Sequence, residues 1–157
     1  SSFTTQTIYE LRDTIWAMNK TQITFEDLQS RITNFINNAK SATSKTEFTF
    51  EIDKDLNQKI IFTSVQGMNI YRIIQEAVNN SIKYAKASEV KVMISENNGF
   101  HIEITDDGIG FAEDQVALGN GINNMKKRTR DLNGSFAISS SVKKGTAIKV
   151  IIPEKAI

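Results

Sequence analysis

The sequence predicts an α+β domain, a two-layer sandwich whose helices pack on one face of a mixed, mostly antiparallel sheet of about five strands. Three observations predict it. Two pairs of alternating apolar segments, over residues 90–104 and 135–152, are joined by hairpin-type connections. A separate alternating run at 48–52 adds a fifth strand. Four further runs have helical periodicity, and the apolar stripes of the last three can cover a sheet that alternates between an apolar and a polar face.

In chain order, Ile8, Leu11, Ile15 and Met18 recur at the spacing of one helical face. Asn19-Lys20-Thr21 interrupts that helix. Thr24, with Asp27 three residues on, resembles a capping box that opens a second helix. Its apolar stripe is Phe25, Leu28, Ile32, Phe35 and Ile36, and the polar stretch 41–45 is a turn. Phe48, Phe50 and Ile52 then alternate with Thr49 and Glu51, as in a half-buried strand. The longest helix spans roughly 63–85, with Ile70, Ile74, Ala77, Val78, Ser81 and Ala85 on one face. Arg72, Glu76, Asn79, Asn80 and Lys83 cluster on the opposite face. Val90, Val92 and Ile94 alternate, then Phe100, Ile102 and Ile104, around the turn Asn97-Asn98-Gly99. Residues 106–121 form a glycine-bearing loop. Ile122, Met125, Thr129 and Leu132 mark the last helix, capped at Asn133-Gly134. Phe136 and Ile138, then Ile148, Val150 and Ile152, close the sheet through Lys143-Lys144-Gly145. The first helix fits poorly into this sandwich: Trp16 and the Ile8, Leu11, Ile15 stripe need another partner, expected in a helix of a longer parent.

Composition narrows the chemistry. A chain of 157 residues is enough for one domain, and at 39% hydrophobic and 24% charged it is ordinary soluble globular protein. A net charge of +1 gives no general electrostatic reason to bind nucleic acid or an anionic membrane. With no cysteine, disulfides, thiolate zinc sites and cysteine nucleophiles are excluded. One histidine, His101, excludes a multi-histidine metal site. No apolar run approaches the ~18 residues of a membrane span, and the start does not resemble a signal peptide. The chain opens Ser1-Ser2 in place of Met, as expected of a piece of something longer.

Three segments carry candidate chemistry. Asp106-Asp107-Gly108-Ile109-Gly110 follows directly on a strand, so its glycines allow a sharp turn and its carboxylate can accept an exocyclic amine N–H. Alone it reads equally as a strand-to-loop turn. Gly119-Asn120-Gly121 precedes a helix, whose free N–H groups and positive dipole end can hold phosphate, with Lys126, Lys127 and Arg128 adding charge. The alternative is a loop followed by a solvated basic face. Neither a Walker loop nor a Rossmann fingerprint is present. Glu76 and Asn80 stand at i, i+4, with Lys83 beyond; an amide oxygen suits Mg²⁺, yet such a stripe is also a common solvated face.

Taken together and in order, with Gly145-Thr146 entering a strand, these segments resemble the ATP-binding domain of two-component sensor histidine kinases. That domain belongs to the GHKL superfamily shared with gyrase, mismatch-repair and heat-shock chaperone ATPases. The run 75–85, QEAVNNSIKYA, is similar to the family's N box, 104–111 to its first glycine box and 119–128 to its second. Leu11-Arg12-Asp13-Thr14-Ile15-Trp16 is similar to the end of the second dimerisation-domain helix. That similarity points to the subfamily paired with helix-turn-helix-output response regulators. The resemblance implies a Bergerat-type sandwich over 21–157, preceded at 1–20 by the end of the dimerisation helix. It implies that Asn80 ligates Mg²⁺ and that Glu76, the acidic N-box residue, orients groups near the γ-phosphate of ATP. Lys83 and Tyr84 would lie along the phosphate and ribose, and Asp106 would accept from the adenine amino group. Gly108 and Gly110 would let the base settle, and Gly119 and Gly121 would hinge a lid that Ile122 follows. Thr146 would sit beside Asp106 under the base.

The chain departs from the family pattern at Tyr84 and Asn120, where histidine is frequent, and at Lys143-Lys144, where a Pro-Gly run is usual. The acceptor histidine of the first dimerisation helix is not in the sequence, and His101, on the polar side of a strand, does not replace it. The expectation is therefore a cytoplasmic catalytic half that binds Mg·ATP and phosphorylates a histidine supplied in trans, within a homodimeric parent that serves a response regulator and contacts no nucleic acid directly. The alternatives are a GHKL ATPase in which Glu76 activates water, a serine kinase of the anti-sigma-factor type, and a degenerate binding module.

Overall fold

The computed structural model describes residues 11–12, 15–16, 21–111 and 120–157. Besides the helical residues 11–12 and 15–16, the described residues contain seven strands and three α-helices: β1 Gln22–Thr24, α1 Phe25–Ala42, β2 Glu47–Ile52, β3 Ile61–Thr63, α2 Ser64–Asn80, β4 Glu89–Glu96, β5 Phe100–Asp106, α3 Asn120–Asp131, β6 Ser135–Ser141 and β7 Gly145–Ile152. The main sheet has five strands in the order β2-β4-β5-β7-β6. Only β2 and β4 run parallel; every other pairing in it is antiparallel. The helices cover one face, as the alternation requires. Val90, Val92, Ile94, Phe100, Ile102, Ile104, Ile148, Val150 and Ile152 are all buried beneath them. Phe100 anchors this layer edge-on to Phe25 and Phe62, at 6.4 and 5.5 Å between centroids.

Local chemistry explains the helix starts. The Thr24–Asp27 capping box forms, with the Asp27 N–H donating to Thr24 Oγ1 at 3.1 Å. An equivalent box at Thr63 and Gln66 starts α2, so Thr63 is its cap and Ser64 its first residue. Thr24 and Thr63 also end the short strands β1 and β3, which pair antiparallel (Gln22 against Thr63). This small second sheet is absent from the sequence expectation, because three residues are too few to show an alternation.

Two other expectations need correcting, and one cap forms as expected. The long helix is not α-helical to Ala85: after Asn80 it widens into a π-turn over Ser81–Ala85 and ends at Lys86 in the left-handed region, φ 49°. The Ala85 carbonyl is diverted outward, where it accepts the Ile109 N–H at 2.7 Å. The expected cap of α3 forms at Asn133-Gly134: Asn133 takes the left-handed position, φ 56°, and the Gly134 N–H donates to the Thr129 carbonyl at 2.9 Å. Trp16, finally, finds a partner within the domain. Its ring lies edge-on to Tyr71 of α2 at 6.2 Å, with the Arg31 guanidinium 5.3 Å from its centroid. Leu11 and Ile15, on helical backbone beside it, remain 58% and 55% exposed; Ile8 and Met18 lie outside the described residues. No helix among the described residues is long and apolar enough to cross a membrane.

Candidate functional site

Register brings the site together. Asp106 ends β5, with Val90 of β4 on one side and Thr146 of β7 on the other. The π-turn closes over it, and the buried Ser81 Oγ donates to Asp106 Oδ2 at 2.7 Å. The Gly108 N–H donates to Asp106 Oδ1 at 2.9 Å. The carboxylate is thus fixed by one donor on each oxygen, with a second lone pair on each left to accept from a ligand. Its neighbour Asp107 does structural work instead. The Ser88 hydroxyl and, after it, the Glu89 N–H hold its carboxyl below the usual range.

A cavity of about 630 Å³ opens from Asp106 toward α3, within the range of small-molecule sites. Glu76, Asn80, Lys83, Tyr84, Asp106, Gly110, Gly121, Ile122 and Thr146, all singled out by the sequence, line it. Its apolar walls are Ile104, Ile109, Phe111, Ile138 and Ile148. Gly121 rests directly on α2: a Cβ there would collide with Glu76 Oε1 and stand 3.4 Å from Asn80 Nδ2. Gly108 does not line the cavity. It packs against the π-turn, where a Cβ would fall 2.5 Å from Ala85 Cβ and collide with the Ala85 carbonyl oxygen. Its contribution is to let the loop sit under the turn, which places the N–H that Asp106 accepts. Gly119 lies outside the described residues.

Of the two readings of the basic residues, the phosphate-site one is not met here. Lys126, Lys127 and Arg128 do not line this cavity, because they project from α3 beyond its first turn. The Arg128 Nη1 instead donates to Asn69 Oδ1 of α2 at 3.0 Å, clamping α3 to α2. Two residues were missed. Helical arithmetic puts Ser81 on the core-facing stripe, yet it is also the donor to Asp106. Ser140 accepts the Phe111 N–H at 3.0 Å and meets Thr146 Oγ1 at 2.9 Å, tying the loop after Asp106 to β7. No sequence signal singles out a serine in an alternating strand. His101 sits at the far end of β5 from Asp106, its Nε2 donating to the Asn97 carbonyl at 2.9 Å, which agrees with a hydrogen-bonded strand residue.

The donor set suits a divalent ion held mainly by its ligand. Glu76 and Asn80 offer one carboxylate and one carboxamide a turn apart, and no group of three His, Asp or Glu residues able to cage a metal occurs among the described residues. Mg²⁺ is commonly bound in this way, by one or two protein oxygens together with phosphates and water.

Comparison with known proteins agrees with this geometry. Residues 65–156 match the family model described as histidine kinase-, DNA gyrase B-, and HSP90-like ATPase. The sensor histidine kinase LiaS of Bacillus subtilis is 35% identical over 105 residues, 66% of this chain and 29% of its own length. The chain spans less than a third of the length of the curated relatives it matches. Among solved structures, the histidine kinase domain of the Erythrobacter litoralis EL346 blue-light activated kinase superposes with a TM-score of 0.69 at 19% identity, over 87% of this chain and 69% of its own. Full-length ShkA in complex with AMPPNP gives 0.68 at 14% identity, over 84% of this chain and 30% of that one. The chain belongs to the histidine kinase-, DNA gyrase B-, and HSP90-like ATPase family, as a catalytic domain of the sensor histidine kinase type.

Proposed function

We propose that this chain binds Mg·ATP in the cavity between α2, the end of β5 and α3, and passes the γ-phosphoryl group to a histidine of a dimerisation domain. The observation that carries the reading is the Asp106 carboxylate. Ser81 and Gly108 hold it at the wall of a cavity that Glu76 and Asn80 also line. Asp106 accepts from the adenine amino group, Thr146 supports it, and Ile104, Ile138 and Ile148 give the base an apolar bed. Lys83 and Tyr84 follow the ribose and phosphates. Asn80 supplies a metal oxygen, and Glu76 orients groups at the γ-phosphate. When bound, Mg²⁺ neutralises triphosphate charge, which transfer of a phosphoryl group chiefly needs besides positioning. Gly121 lets the start of α3 approach Glu76 and Asn80, so the helix N-terminus faces the same charge. Full-length ShkA was solved with AMPPNP, and this chain shares its catalytic fold, which supports a triphosphate ligand.

The same reading makes residues 1–20 the end of the second dimerisation helix, supported by the helical backbone and exposed Leu11 and Ile15. It also makes the parent a cytoplasmic-side homodimer that serves a response regulator with a helix-turn-helix output. The test is incubation with γ-labelled ATP, Mg²⁺ and the parent's separately purified dimerisation domain. Acid-labile label is expected on that domain and none on this chain. Stable acid-labile label on this chain alone, or steady ATP hydrolysis without transfer, refutes the reading.

A further inference from the structure

A second, smaller cavity of about 290 Å³ lies between α2 and α3, and Glu76 is the one residue that lines both it and the larger cavity. Its other walls include Arg72 and Arg128, on facing helices, with Gln75 and Asn79. The guanidiniums are oriented: Arg72 Nη1 donates to Gln75 Oε1 at 2.7 Å, and Arg128 Nη1 to the buried Asn69 at 3.0 Å. Burial first, then the positive charge of Arg72, hold the Arg128 pKa below its ordinary value, against the opposing influence of Asp131 and Glu76. Around them α3 adds Lys126, Lys127 and Arg130 against Asp131 alone. A chain of net charge +1 therefore concentrates cations at this helix, beside the cavity.

Planar guanidiniums present paired N–H groups that match a carboxylate. The cavity walls carry two positive charges, from Arg72 and Arg128, and one negative, from Glu76. That balance suits a single carboxylate, whereas a phosphate dianion would exceed it while pressing on Glu76. The position matters too. A polypeptide anchored in this cavity is adjacent to Glu76, and so to the phosphate side of the nucleotide as read above.

We propose that this cavity is a docking subsite for an acidic side chain of the polypeptide that receives the phosphoryl group, gripped between Arg72 and Arg128. The proposal rests on the reading of the neighbouring cavity as the Mg·ATP site. It makes both arginines determinants of acceptor specificity that do not touch the nucleotide.

The first measurement compares the unmodified protein with Arg72→Gln, using calorimetry with Mg·AMPPNP and initial rates of acceptor phosphorylation. AMPPNP affinity is expected to stay within about twofold while the acceptor KM rises on the order of tenfold, as loss of a charge-assisted hydrogen bond implies, and kcat changes little. The second measurement follows the Arg72 and Arg128 Nε–Hε NMR resonances of the AMPPNP-saturated unmodified protein. Hexaglutamate peptide should move both, and inorganic phosphate at the same concentration should move neither. An unchanged acceptor KM in Arg72→Gln, or resonances that answer phosphate and ignore the peptide, overturns the proposal. Failure of the nucleotide reading looks different: the unmodified protein then binds no Mg·AMPPNP.

Discussion

Replacing Asp106 with Asn tests the purine recognition in a way that separates it from folding. In the native site the Gly108 N–H donates to one carboxylate oxygen at 2.9 Å and the Ser81 hydroxyl to the other at 2.7 Å. An amide can keep the first bond by turning its oxygen to Gly108. Its NH₂ then faces Ser81, whose hydroxyl can accept it and donate to the Ala77 carbonyl, already 3.2 Å away. Both local bonds survive in kind, so stability should change little. The ligand-facing side changes beside Ser81, where an acceptor oxygen is replaced by an NH₂ donor, while the oxygen beside Gly108 keeps its second lone pair. A hydrogen bond to a charged group contributes roughly 1.5–3 kcal/mol, so ATP affinity should fall about 10- to 150-fold. Guanine presents a carbonyl where adenine presents an amine, so the ratio of ATP to GTP affinity should fall further than ATP affinity alone. Titration calorimetry of both nucleotides, beside thermal unfolding, reads all three quantities. An Asp106→Asn protein that keeps its ATP affinity and its ATP-to-GTP ratio would show that this carboxylate does not read the base.

Asn80→Ala should remove the Mg²⁺-dependent part of ATP affinity and leave the melting temperature nearly unchanged; equal titrations with and without Mg²⁺ in the unmodified protein contradict this. Gly108→Ala drives a methyl into the Ala85 carbonyl and puts the Ile109-to-Ala85 bond at risk. Overpacking of this kind costs about 1–3 kcal/mol, hence a loss of roughly 3–10 °C in Tm for a chain of this size, with weaker ATP binding because the Asp106 loop moves. Asp107 titrates below the ordinary carboxyl value of 3.8 in the folded protein, so its contribution to stability is complete above that value and is lost as pH falls through the lower folded-state pKa. The Tm gap between the unmodified protein and Asp107→Asn should accordingly be widest near neutral pH and close in acid, as thermal scans across pH will show.

Much of this architecture is readable from residue order, for identifiable reasons. β4, β5 and β7 alternate cleanly because one face of the sheet is covered, so Val90, Ile102 and Val150 had to be apolar while Lys91, Glu103 and Lys149 did not. The Thr24 cap was legible because its chemistry is local. The π-turn was not, since its cause is tertiary: a loop N–H from Ile109 claims the Ala85 carbonyl. The site shows the same division. Asp106 is conspicuous as an acid ending a strand, whereas Ser81 sits on the buried stripe of a helical wheel and reveals its polar partner only once β5 is placed beneath it. The place of Arg128 stays open in the sequence, because helical spacing tells which residues share a face but not which neighbouring element, here Asn69 on α2, that face meets.

Trp16 is the chain's one indole, and it is held between Tyr71 and Arg31. Its ultraviolet emission therefore reports a single junction, with no background from other tryptophans and no dye to attach. Tyr71 lies on the same helix as Glu76 and Asn80, so wavelength and anisotropy at this one fluorophore can follow whether the segment carrying Trp16 stays seated or lifts away while nucleotide comes and goes.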